Sequence, residues 1–120
     1  MTDVEKFEKE VGIGARVFLF VGDKTPSATS WCPDCVEAFG PIESASTTYA
    51  GGIVTICVGN RDMWKGEEGA KNYFRVKIGI TSIPTLAVLN PEGTNIAKML
   101  VEEECRDEGK LQAFFDSLQK

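Results

Sequence analysis

The chain has 120 residues, 42% of them hydrophobic, and carries 13 basic against 18 acidic side chains for a net charge of −5. That size fits one domain over residues 1–120, able to bury roughly two-thirds of its unfolded surface without a disulfide or metal staple. An acidic balance without a basic run argues against nucleic acid or an anionic membrane as partner, and no apolar run approaches the ~18 residues of a membrane span.

Val4, Phe7 and Val11 recur at helical spacing and predict an amphipathic helix over about residues 3–11, ended by Gly12 and Gly14. RVFLFV, Arg16 to Val21, is a short apolar run typical of a strand buried on both faces. A polar loop is expected over Gly22 to Ser30, which contains Pro26. The next helix starts at a CxxC and runs to about Tyr49, with Gly40-Pro41 expected to kink or split it. Gly51-Gly52 then turns the chain into a second buried strand, Ile53 to Val58. Gly59 to Gly66 reads as a loop, and Glu67 to Lys77 as a helix. Thr85 to Leu89 and Asn95 to Val101 are strands flanking a tight turn at Asn90-Pro-Glu-Gly93. Asp107 to Leu118 closes the chain as a helix with Leu111, Phe114, Phe115 and Leu118 on its buried face. A βαβ unit, a hairpin and a closing helix imply an α/β fold, with a mixed four-stranded sheet flanked by helices on both faces.

The chain contains no histidine. Ser-His and Cys-His nucleophile pairs and imidazole bases are thereby excluded, and chemistry falls to Cys, Asp, Glu, Lys, Tyr or backbone. The polar, acidic start MTDVEKFEKEVG does not read as a signal peptide. Four cysteines in such a chain point to a reducing compartment, so a cytoplasmic location is expected.

Trp31-Cys32-Pro33-Asp34-Cys35 is the segment that carries chemistry. Cys32 falls at a helix N-terminus, where unpaired N–H groups and the helix dipole favour a thiolate, the nucleophilic form of cysteine. Cys35 lies one turn on, close enough to close a small disulfide ring. Pro33 suits the first helical turn, since its missing N–H would be unpaired there. Asp34 supports the helix start but opposes the Cys32 thiolate by like charge. The Cys32 pKa is expected below the free value of about 8.5. Zinc would want four ligands. With no histidine only Cys57 and Cys105 remain to supply them, so redox chemistry is favoured over metal. Cys57, in an apolar run, reads as a small core residue, and Cys105, after three glutamates, as a bystander with a raised pKa. Met63-Trp64 is either a substrate-facing patch or a lid over the core, and Glu102 to Glu104 a solvated run.

A second motif, Thr81-Ser82-Ile83-Pro84-Thr85, precedes the third strand. Together the two motifs resemble the thioredoxin fold over nearly the whole chain. Pro-Asp between the cysteines, Cys57, Met63-Trp64-Lys65 and Val101-Glu-Glu-Glu-Cys105 are similar to the small cytosolic WCPDC thioredoxin-related proteins, the thioredoxin domain-containing protein 17 type. The resemblance implies a monomeric disulfide reductase with no bound cofactor, supplied with electrons from NADPH by thioredoxin reductase and acting on small or accessible disulfides such as cystine. It implies Cys32 as the attacking thiolate and Cys35 as the resolving thiol. Trp31 would form the rim beside the sulfur. A cis Ile83-Pro84 bond would present Ile83's backbone to a substrate strand. A redox-sensing adaptor that binds signalling partners with little turnover is the alternative. The chain also departs from thioredoxin. RVFLFV offers no buried acid to take the resolving thiol's proton, leaving that role vacant or to Asp34, Glu37 or water. Pro41 falls six residues after Cys35 instead of five, and four strands are expected in place of five.

Overall fold

Helix α1, Val4–Gly12, fully buries one side chain, Phe7, and the chain then enters β1, Val17–Val21, in which every residue is buried. This computed structural model describes residues 3–23, 30–47, 49, 52–90 and 95–118. Helix α2 spans Pro33–Ser46 and β2 spans Val54–Cys57. Two short helices, α3 at Arg61–Trp64 and α4 at Gly66–Gly69, lead to a single π-helical turn at Phe74–Ile78. Strands β3, Thr85–Leu89, and β4, Ile96–Val101, precede a 3₁₀ turn at Glu102–Arg106 and helix α5 at Glu108–Leu118.

The four strands form one mixed sheet in the order β2-β1-β3-β4. β1 pairs parallel with β2, Phe18 opposite Val54, and antiparallel with β3, Leu19 opposite Leu86. β3 and β4 pair antiparallel with an irregularity at Val88/Leu89. The period-two alternation of a strand divides the core. Phe18 and Phe20 meet Phe7 of α1 at ring separations of 5.0 and 5.9 Å, and Phe20 meets Phe74 at 5.5 Å. Leu19 points the other way, toward Phe39 and Ile42 of α2. This is the expected α/β architecture, and the helices lie on both faces.

The middle of the chain differs from expectation. No single helix runs from Glu67 to Lys77, and the expected loop before it holds α3 and the start of α4. Asn72, 7% exposed, explains the break. Its Oδ1 accepts the Phe74 N–H at 2.9 Å, while its Nδ2 donates to the Val58 and Met63 carbonyls at 2.8 and 3.0 Å. A side chain that takes backbone partners in this way competes with the helical ladder. Helix α2 also departs from expectation: it continues through Pro41 unsplit and ends at Ser46. Packing outweighs the hydrogen bond lost at Pro41, because Ala38 and Ile42 on either side of it are buried. The 3₁₀ turn after β4 is a further element the periodicity did not reveal. Most of the Gly22–Ser30 loop, Gly51, and the Asn90–Gly93 turn beyond Asn90 lie outside the described residues.

Candidate active site

The end of β1 and the start of α2 build the site between them. Ser30 Oγ donates to the Gly22 carbonyl at 2.8 Å and accepts the Cys32 N–H at 3.2 Å. The Trp31 indole N–H donates to the Gly59 carbonyl at 2.8 Å, and the Gly59 N–H donates to Asp23 Oδ1 at 3.1 Å. Gly22 must be glycine for this packing, since a Cβ there would stand 2.6 Å from Trp31 Cε2. These contacts bring Cys32 to the N-cap of α2 in an extended conformation. Its Sγ accepts the Cys35 N–H at 3.2 Å. Pro33 occupies the first turn, as expected of a residue with no N–H to satisfy.

Burial and hydrogen bonds divide the two thiols chemically. Cys32 is 6% exposed and Cys35 is fully buried. The Cys32 thiol is lowered to about 7, first by a hydrogen bond from the Cys35 side chain and against desolvation. Backbone N–H groups of Cys35 and Asp34 assist, while the Asp34 charge opposes. Cys35 moves strongly upward, because its proton is held by Cys32 and its burial penalises charge. One sulfur is therefore poised as thiolate and the other as thiol. Glu37 is ion-paired with Arg106, whereas the Asp34 carboxylate acts on both thiols.

The Ile83–Pro84 peptide bond is cis. Trp31, Cys32, Pro33, Asp34 and Ile83 border one groove of about 270 Å³, so five of the seven residues singled out from sequence converge. Cys35 and Pro84 are buried and do not line it. The Pro84 carbonyl accepts the Glu102 N–H at 2.7 Å and lies 3.6 Å from the Cys105 sulfur. Thr81 and Ser82 from the second motif also reach the groove, together with Trp64, one of the pair read as a substrate-facing patch or a lid, and two residues that spacing did not assign to it, Lys65 and Glu102. Trp64 is 3% exposed and so belongs to the core with one edge on the groove, while Met63 is 38% exposed. Arg75 stacks over the Trp64 ring at 3.8 Å and donates to the Thr81 carbonyl at 2.8 Å, tying α3 to the loop before β3.

The other two cysteines stand apart. Cys57 ends β2 and is half-buried, a correction to the core position expected of it, with its thiol raised by burial and by Asp3. Cys105 is fully buried and pushed up to about 12, chiefly by desolvation and only in small part by Glu104. Among the described residues no three Cys, Asp or Glu side chains gather as a metal set, and no helix is long and apolar enough to cross a membrane.

A dithiol at a helix N-terminus, facing a cis-proline loop on a β2-β1-β3-β4 mixed sheet, defines a thioredoxin-fold dithiol protein. The chain belongs to the thioredoxin domain-containing protein 17-like family, whose thioredoxin-domain model matches residues 1–117. It is 37% identical over 116 residues to thioredoxin domain-containing protein 17 of Mus musculus, covering 92% of this chain and 88% of the relative. It is 35% identical over 105 residues to the Homo sapiens protein of that name, covering 85% and 79%. With the Danio rerio protein it shares 38% identity over 96 residues, covering 77% and 71%.

Proposed function

We propose that this chain is a thiol–disulfide oxidoreductase working as a reductase on small or accessible disulfides, cystine among them. The Cys35 N–H on Cys32 Sγ at 3.2 Å, at the floor of an open groove, is the observation that carries the reading. The Cys32 thiolate attacks one sulfur of R–S–S–R, forming Cys32–S–S–R and releasing R–S⁻. Cys35 then attacks the Cys32 sulfur, closing the Cys32–Cys35 disulfide, and its proton leaves with the second thiol as R–SH. The substrate gains two electrons and the protein dithiol loses two. Trp31 and Ile83 border the path of entry, with the Ile83 backbone offered to an extended substrate. Thioredoxin reductase restores the dithiol with electrons from NADPH. The protein acts as a cytoplasmic monomer and holds no cofactor or metal.

NADPH consumption with thioredoxin reductase, comparing cystine and insulin as substrates, tests this reading. Rapid cystine turnover is expected for wild type, with none for Cys32→Ser and trapped mixed disulfide for Cys35→Ser. A fully active Cys32→Ser variant would disprove the mechanism. Partner binding that persists when both cysteines are Ser, without turnover in wild type, would favour the adaptor.

A further inference from the structure

We propose that the groove beside Cys32 is charge-selective, with Glu102 as its selector, so that disulfides carrying a cation near the sulfur react faster than those carrying an anion. This rests on the reductase reading and concerns which R–S–S–R enters the exchange written above. Three charged side chains border the groove: Asp34 and Glu102 against Lys65. Asp34 belongs to the dithiol motif itself. Glu102 arrives from the far end of β4 on a fixed backbone. It adopts φ +50°, the left-handed region that few non-glycine residues enter, and its N–H is tied to the Pro84 carbonyl at 2.7 Å. Backbone outliers of this kind gather at binding sites.

The neighbouring surface extends the same sign. Glu102 also borders a second depression of about 400 Å³, where Glu103, Glu104 and Asp107 face a single cation, Lys110. Glu104 is committed there, accepting the Val101 N–H at 3.1 Å and pairing with Lys110 at 3.3 Å. Among the described residues no ion pair engages Glu102, so its charge is available to substrate. A group reaching past Glu102 therefore stays over negative potential. Arg75, which shares the adjoining depression with Lys65, keeps its positive charge but does not border the groove, being held over the Trp64 ring and on the Trp64 and Thr81 carbonyls. That leaves Lys65, among the described residues, as the one basic side chain on the groove wall.

The test uses pre-reduced, desalted protein in single turnover at low salt. Its substrates are cystamine, bis(hydroxyethyl) disulfide and dithiodipropionate, which are cationic, neutral and anionic. Dividing each rate by that of dithiothreitol on the same disulfide removes differences between leaving thiols. The normalised cystamine-to-dithiodipropionate ratio should be about tenfold in wild type, shrinking toward one at high salt. Glu102→Gln should cut that ratio about threefold, and Lys65→Gln should raise it by a similar factor. A ratio near one in wild type, or one indifferent to both substitutions, overturns the selector while Cys32-dependent exchange with the neutral disulfide still upholds the reductase. No Cys32-dependent exchange with any of the three overturns both.

Discussion

Two opposing effects meet on the Cys32 sulfur, and the hydrogen bonds win. Burial and the Asp34 charge push the thiol up, while the Cys35 side chain and two backbone N–H groups bring it to about 7. That direction sets the pH dependence of reactivity. A pKa below the free value near 8.5 leaves thiolate present at neutral pH, and it is lost as pH falls through about 7. Iodoacetamide should therefore alkylate the reduced protein at Cys32 with a half-maximal rate near pH 7, while Cys35 and Cys105 stay unmodified in the native state. Mass mapping of the alkylated sites reads this directly, and a midpoint near 8.5 would contradict the N-cap account. Asp34→Asn should move the midpoint lower, since it removes a like charge. Ser30 matters equally to the geometry, because it links the Gly22 carbonyl to the Cys32 N–H and so couples the end of β1 to the dithiol.

Helices and strands hold one another through a few polar contacts. Residues at the start of α1 satisfy the free edge of β2. The Asp3 N–H donates to the Cys57 carbonyl at 3.0 Å, Asp3 Oδ2 accepts the Cys57 N–H at 3.0 Å, and Lys6 Nζ donates to the Thr55 carbonyl at 2.8 Å. Those contacts leave fewer edge groups for another strand to pair with. The groove wall depends on a close approach between α3 and α4. A Cβ on Gly69 would stand 1.9 Å from the Trp64 carbonyl oxygen, an atom of the main chain that cannot rotate away. Gly69→Ala should thus destabilise the fold by about 1–3 kcal/mol, the cost of forcing a side chain into a packed site. Because the clash falls on Trp64, the same variant should slow disulfide reduction. Urea denaturation alongside the turnover assay checks it, and wild-type stability would show that the α3–α4 approach is loose.

Across the whole molecule, burial supplies the stability that a staple provides in smaller chains. The folded chain exposes 6809 Å², against about 19,000 Å² for an unfolded chain of its mass. Aromatic rings dominate the largest buried side chains: Phe18, Phe20, Phe74, Phe114 and Phe115 are all at most 1% exposed. Cys32 and Cys35 are free thiols here, and the disulfide that the proposed reaction forms between them would open and close without deciding whether the protein folds. A loop so short contributes at most about 2 kcal/mol through chain entropy. Reduced and oxidised protein should accordingly unfold within about 2 kcal/mol of each other in urea, both cooperatively. An unfolded reduced form would mean that the disulfide is structural, and the redox reading would fall.

Local signals carried much of this protein. The apolar runs at Val17–Val21 and Thr85–Leu89, the hairpin-like spacing before Ile96 and the periodicity of Leu111, Phe114 and Phe115 all specify their elements, because strand and helix periods are properties of neighbouring residues. Cys32 and Cys35 were legible for the same reason: a CxxC at a helix start shapes its own electrostatics. Tertiary contacts decided the rest. Asn72 breaks a helix-like stretch by bonding to Val58 and Met63, from other segments. Pro41 stays inside α2 because the residues beside it are buried in the core. Trp64, Lys65 and Glu102 reach the Cys32 groove only when α3 and the end of β4 fold against the cis-proline loop. No spacing along the chain encodes that meeting, since it depends on how separate elements pack and on the left-handed turn that aims Glu102 there.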